Sequence, residues 1–251
     1  IERTTSSLTL KWDEADDATH YVVYRSTDNE TFTSTVYEGQ TAQFTDTGLS
    51  AATTYYYRIR ASNGAGYSNM TASLSGRTRF QPLGTPQNLQ VDSATTSSVR
   101  YTWSPVDGAT EYRVESGNTT FGPWADPQSV SAATHQRDGL QAGQTMFVRV
   151  TAVDSLNPDR DSSPAILRVQ TIPAAPTNLQ LAVGSSSSKA ILLSWDAMNG
   201  ADYYQVFQAT TPHGSWGWPI AEPRTAGYED GGLSANKTYY YHVKAVNEGG
   251  T

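Results

Sequence analysis

Tryptophan recurs at Trp12, Trp103 and Trp195, at intervals of 91 and 92 residues. An alternating run precedes each one: "SLTLKW", "SVRYTW" and "AILLSW". A tyrosine follows nine residues later, at Tyr21, Tyr112 and Tyr204. Further on, Leu49, Leu140 and Leu233 each introduce a second alternating run, "TYYYRIRA", "TMFVRVTA" or "TYYYHVKA". Self-similarity at a fixed period means a unit copied along the chain, so whatever folds must fold three times. Within each copy the pattern is period two, broken by turn-forming residues, which specifies short half-buried strands. No amphipathic helical pattern of useful length occurs. Proline-bearing seams, "RFQPLGTPQNL" at 79–89 and "TIPAAPTNL" at 171–179, separate the copies. A unit of about 90 residues with some seven strands predicts an all-β sandwich.

Composition decides which classes of protein remain. Hydrophobic residues make up 37% and charged residues 16% of the 251, and no long apolar run exists. A membrane-spanning helix needs about 20 consecutive apolar residues, so no membrane insertion of that kind is expected. Six Trp, fifteen Tyr and six Phe supply cores that disordered chains lack. A net charge of −7 argues against nucleic acid as a partner. Cysteine is absent, so nothing in the chain demands an oxidising compartment.

The residues resemble fibronectin type III domains over essentially the whole chain. The resemblance rests on a Pro-x-x-Leu opening (Pro86, Leu89; Pro176, Leu179) and on Trp12, Trp103 and Trp195 in strand B. It rests also on a strand C Tyr-x-Val (Tyr21/Val23, Tyr112/Val114, Tyr204/Val206) and on a leucine six residues before the strand F tyrosine. It implies three tandem immunoglobulin-like β-sandwiches, at 1–80, 81–172 and 173–251. The first would lack most of strand A and the third strand G, as expected of a piece of a longer array. Short, proline-bearing junctions predict an elongated array of roughly 100 Å, at a rise of about 3.3 Å per strand residue. Two departures stand out: Met146 replaces the strand F tyrosine, and Ala51 and Ala235 stand where the family often places proline.

Alternation sorts the triple tyrosines at 55–57 and 239–241. Tyr55 and Tyr57 share the apolar face with Ile59, and Tyr56 shares the other with Arg58 and Arg60. By the resemblance, Tyr55 and Tyr239 are tyrosine corners, whose hydroxyls bond to backbone near the preceding turn. Met146 cannot make that bond, so the second copy is expected to lose about 1 kcal/mol. Tyr56 and Tyr240 point outward, beside the outward strand C residues Tyr24 and Phe207. Two aromatic pairs, Tyr24/Tyr56 and Phe207/Tyr240, are therefore expected, either stabilising the sheet or forming a contact face. The second copy carries Arg113, Glu115, Phe147 and Arg149 there.

Other candidates fall in loops. Phe32, Trp124 and Trp216 are expected to begin strand C′ and plug the core edge. Trp218, in "SWGWP", is surplus to that role and is the best exposed indole for stacking on a sugar ring. "DEADD" at 13–17 reads as a solvated turn before it reads as a cation site. "DSLNPDRD" at 154–161 lies in the F–G loop without the glycine and distal glutamate of a calcium loop. That loop carries no Arg-Gly-Asp. Asn29, Asn69, Asn118 and Asn236 stand in N-x-S/T sequons, which matter only in a eukaryotic secretory protein. His20, His135, His213 and His242 show no ligand spacing, and no nucleophile elbow exists. Neither catalysis nor a cofactor or metal site is expected.

By the resemblance, the chain is a non-catalytic structural or adhesive spacer of an extracellular or cell-surface protein. Its partners are other proteins, neighbouring copies of itself, or a glycan. Two alternatives stand beside this: accessory domains of a secreted polysaccharide-degrading enzyme, and a segment of a filament, sheath or phage-tail subunit.

Overall fold

A computed structural model of the chain describes all residues except Ile1, residues 185–188 and His213. The last of these leaves one of the four histidines outside the described residues. The regular structure is strand, with one 3-10 turn at Pro158–Arg160 and no α-helix among the described residues. No helix there is long and apolar enough to cross a membrane.

The first repeat contains β1 (Glu2–Arg3), β2 (Ser7–Lys11), β3 (His20–Ser26), β4 (Ser34–Gly39), β5 (Gln43–Thr47), β6 (Thr54–Asn63), β7 (Gly66–Tyr67) and β8 (Leu74–Arg77). The second contains β9 (Gln90–Ala94), β10 (Val99–Thr102), β11 (Glu111–Gly117), β12 (Ala125–Val130), β13 (Thr134–Arg137), β14 (Thr145–Val153) and β15 (Ala165–Gln170). The third contains β16 (Gln180–Val183), β17 (Ile191–Ser194), β18 (Tyr203–Ala209), β19 (Gly227–Asp230) and β20 (Tyr240–Val246).

Every repeat has the same two-sheet plan. One sheet is β1-β2-β5, β9-β10-β13 or β16-β17-β19. The other is β4-β3-β6 with β7 and β8 pairing β6, then β12-β11-β14-β15, then β18-β20. In the third repeat, strand C′ shrinks to a single bridge between Val206 and Ala221. All ladders are antiparallel, so one face of each sheet is apolar and closes on its partner. Leu8 and Leu10 of β2 thus meet Val23, Tyr55 and Tyr57 in one buried cluster, and Leu193 and Trp195 meet Tyr204, Val206 and Ala245 in another.

The repeated tryptophan occupies the same place each time. It stands one residue beyond β2, β10 or β17, and its backbone N–H donates to the carbonyl of Ala42, Ala133 or Ala226. Its indole meets the strand C tyrosine edge-on. Ring centroids are 5.5 Å apart for Trp12–Tyr21, 5.1 Å for Trp103–Tyr112 and 5.3 Å for Trp195–Tyr204. That geometry suits the ring quadrupoles. The tyrosine hydroxyl in turn accepts the N–H of Ala15, Val106 or Met198, at 2.8 Å in all three. One aromatic pair therefore fills the core and also anchors the B–C loop.

The compact units do not follow the seams of the repeat. Residues 1–83 with 154–161 form one, and 84–153 with 162–251 the other. Residues 154–161 join the first because Leu83 N–H donates to the Arg160 carbonyl at 2.7 Å and the Arg160 guanidinium lies over the Phe80 ring. The second unit holds two sandwiches.

Candidate functional site

The tyrosine trios separate by face. Tyr55 and Tyr57 are buried in the first core, while Tyr56 is half-buried. The Tyr55 hydroxyl accepts Ser50 N–H at 2.9 Å, and the Tyr239 hydroxyl accepts Ser234 N–H at 3.0 Å. At the matching position of the second repeat, the Gln144 side-chain oxygen accepts Gln141 N–H at 2.8 Å, while Met146 is buried. This corrects the expected penalty of the second repeat: a neighbouring amide supplies the acceptor that the missing phenol would have been. Replacing Gln144 by alanine is expected to cost about 1 kcal/mol, read by denaturant unfolding, whereas Met146→Tyr gains little while Gln144 holds the donor.

Tyr57 does more than fill space. Its hydroxyl donates to Asp46 at 2.9 Å, and Arg25 Nη1 reaches both carboxylate oxygens at 3.1 and 3.0 Å. Tyr241 repeats the contact with Asp230 at 2.7 Å, with Gln208 in the place of Arg25. In the second repeat the strand pairing puts Val148, Arg137 and Ser116 at these positions, and Arg137 pairs with Asp126 instead. Burial first, then the hydrogen bond to the carboxylate, raises the pKa of Tyr57 and Tyr241 above the ordinary tyrosine value, so both phenols ionise less readily.

The expected outward aromatic pairs do not form. The register sets Arg58 opposite Tyr24 and Tyr56 opposite Ser26, and it sets His242 opposite Phe207 and Tyr240 opposite Ala209. Tyr24 and Phe207 are each only 8% exposed. Long cations from strand F lie across them: Arg60 covers Tyr24 at 5.1 Å and also Tyr67 at 3.8 Å, and Lys244 covers Phe207 at 5.6 Å. The ring quadrupole attracts a guanidinium or ammonium, and the aliphatic stem that carries it covers apolar surface. Tyr24 and Phe207 are therefore withdrawn from the contact face, and Tyr240, like Tyr56, is half-buried.

Phe32, Trp124 and Trp216 also differ from expectation. They do not plug the core edge; they cover strand F from outside. Phe32 lies under Arg58 at 4.5 Å, Trp124 under Arg149 at 4.8 Å, and Trp216 against His242 at 5.2 Å. Arg58, Arg149 and His242 occupy one equivalent register position. Burial, with Lys244 beside it, keeps the His242 imidazole below the ordinary histidine value and so favours its neutral form.

Each of two C–C′ loops carries an aromatic beyond the one used in this cover. Trp218 is 90% exposed and Phe121 is 95% exposed. Phe121 escapes notice in the sequence because "FGPW" reads as one aromatic cluster. The signal lies in the repeat: once Trp124 fills the cover position, Phe121 is surplus in the way Trp218 is surplus to Trp216. Among the described residues, these two are the most exposed large hydrophobic side chains.

The acidic loops hold themselves together. Asp154 is buried and takes the Asn157 side chain, the Leu156 N–H and the Arg160 guanidinium at 2.8 Å. The Asn157 bond leads the causes that hold its carboxyl below the ordinary range. That carboxylate is committed to Arg160. Residues 16 and 17 form a turn closed by Ala18 N–H donating to the Ala15 carbonyl, with Asp17 at φ 59° and Asp13, Glu14 and Asp16 exposed. No three His, Cys, Asp or Glu side chains gather as a metal site among the described residues.

Residues 1–77 match the family model described as "Fibronectin type III domain". The chain is similar to Exoglucanase B of Cellulomonas fimi, 28% identical across 98% of this chain and 23% of that protein. It is similar to the Fibronectin type III domain-containing protein 7 of Mus musculus, 28% identical over 80% of this chain and 26% of that one. It is similar also to the human collagen alpha-1(XX) chain, 25% identical over 98% of this chain and 19% of that one. The chain thus spans about a quarter or less of these relatives. Among solved structures, the FN1-FN3 domains of chicken CNTN1 align over 100% of this chain and 92% of that one, at 18% identity and a TM-score of 0.40.

Proposed function

We propose that this chain, a tandem array of fibronectin type III domains divided at 1–80, 81–172 and 173–251, is a non-catalytic scaffold within a larger extracellular or cell-surface protein. Its contacts with proteins or with other copies of itself run through the C–C′ loops. One observation carries this reading. The repeated aromatic and charged networks face inward or cover their own strands, whereas Trp218 and Phe121 are left to solvent. Weak contacts repeated along an array add through effective concentration, so single exposed rings suffice. Sedimentation velocity across a concentration series tests it. Association is expected in the unmodified chain and lost in Trp218→Ala/Phe121→Ala. Those substitutions should change stability by no more than about 0.5 kcal/mol, because neither ring is packed.

The similarity to Exoglucanase B across 98% of the chain favours one second reading, an accessory region of a secreted polysaccharide-degrading enzyme. An exposed indole suits stacking on a sugar ring. Retention on insoluble glucan that Trp218→Ala abolishes supports this second reading, and retention that survives the substitution excludes Trp218 from it.

A further inference from the structure

Gly143 of the second repeat and Gly200 and Asn247 of the third behave differently from their counterparts in the other repeats. The E–F turn has a positive φ in every repeat: 53° at Ala52, 69° at Gly143 and 59° at Asn236. The B–C turn does the same: 59° at Asp17, 78° at Gly108 and 70° at Gly200. Alanine, asparagine and aspartate are therefore accepted by these turns, and backbone conformation alone does not demand glycine at 143 or 200.

Space does. A Cβ on Gly143 would lie 1.9 Å from the Asn199 carbonyl oxygen, and one on Gly200 would lie 2.2 Å from the Gly143 carbonyl oxygen. The E–F turn of the second sandwich and the B–C turn of the third touch backbone to backbone. Around that contact, Asn199 Nδ2 donates to the Ala142 carbonyl at 3.3 Å, and Gln170 Nε2 donates to the Gly200 carbonyl at 3.3 Å. Arg168 pairs with Glu248 at the rim.

Asn247 closes the junction. In each repeat the residue at this point of the F–G loop accepts the N–H two residues on: Asn63 from Ala65, Asp154 from Leu156, Asn247 from Gly249. Asn247 alone of the three uses an amide nitrogen to span two sandwiches. It is 6% exposed, and its Nδ2 donates to the Thr171 carbonyl at 2.9 Å and the Gly200 carbonyl at 3.0 Å. Asp154 has no donor with which to do this.

We propose that the second and third sandwiches form one rigid body, locked by Asn247 across a backbone contact that only glycine at 143 and 200 permits. Neighbouring domains in a chain ordinarily move relative to each other unless their interface is tight. Here two buried side chains, Asn247 and Gln170, donate across the junction, and the Thr171 carbonyl that accepts from Asn247 belongs to a fully buried residue. The inference is independent of what Trp218 and Phe121 contact.

The repeat itself supplies variants that keep the turns. Gly143→Asn and Gly200→Asp borrow residues that the equivalent turns already carry, and Asn247→Asp keeps the local turn while setting a carboxylate against two carbonyls. The full chain has no cysteine, so exposed Ser129→Cys and Ser194→Cys take spin labels without interference. Pulsed electron–electron distances between the labels should show one narrow peak in the otherwise unmodified chain. Gly200→Asp and Asn247→Asp should broaden it about twofold or more while circular dichroism stays native. A broad distribution in the unmodified chain overturns the proposal, and so does an unchanged width in both variants.

Discussion

Replacing Trp103 by alanine is expected to destabilise the second sandwich by about 4 kcal/mol, the range of a large aromatic removed from a core. Trp103 is 5% exposed and stands edge-on to Tyr112, so the vacated space is bounded by a second ring and not by solvent. Tyr112 is itself held in place, because its hydroxyl accepts the Val106 N–H at 2.8 Å. Hydrogen exchange at Val148 and Val150 amides reports this locally, which matters because a chain of several sandwiches need not unfold in one step. Exchange there should accelerate by about three orders of magnitude. Tyr112→Phe isolates the hydroxyl and should cost about 1 kcal/mol. Trp12 is half-buried, so Trp12→Ala should cost less than Trp103→Ala. A loss under about 1.5 kcal/mol for Trp103→Ala would contradict the assigned core role.

Asp46→Asn is expected to destabilise the first sandwich by about 2–3 kcal/mol, through the Arg25 guanidinium left facing a neutral amide. Removing one partner of a buried pair costs about 3–5 kcal/mol, reduced here because the Arg25 side chain is 30% exposed. Asp230→Asn should cost about 1 kcal/mol or less, since Gln208 brings no charge and an amide oxygen still accepts from Tyr241. The two substitutions are chemically identical, and their difference measures the cation. The same site makes an alkaline prediction. Tyr57 ionises less readily folded than unfolded, so the unfolded chain releases its proton first as pH rises past about 10. Stability therefore falls above that pH, and Tyr57→Phe should flatten the slope. Equal slopes in the two proteins between pH 9 and pH 11.5 would remove Tyr57 from the network.

Much of the fold was legible because the repeat reports the same physics three times. Alternation needs only neighbours in sequence, so it placed Tyr55 and Tyr57 inward and Tyr56 outward without knowledge of any partner strand. The candidate site was less legible. Tyr24 and Phe207 do lie on the outward side of strand C, yet Arg60 and Lys244 cover them. Which side chain lies over a ring depends on cross-strand register and on side-chain length, and neither is written at the ring's own position. The failed aromatic pairs have the same origin: a register two residues different sets Arg58 opposite Tyr24 and His242 opposite Phe207. Gln144 is a further case, because a different residue satisfies the same backbone donor by another route.

The sequence by itself determined the three-copy β-sandwich plan, the inward aromatic of each strand, and the surplus of Trp218 over Trp216. These follow from period, polarity and counting, which are properties of one chain read in order. Only the tertiary structure decided that Arg58, Arg149 and His242 share one covered position and that Phe121 stands free. Only it decided that Gly143 and Gly200 are glycines for lack of space. A turn with positive φ looks the same in sequence whether its outer side meets water or another backbone, and that difference exists only once two domains are folded side by side.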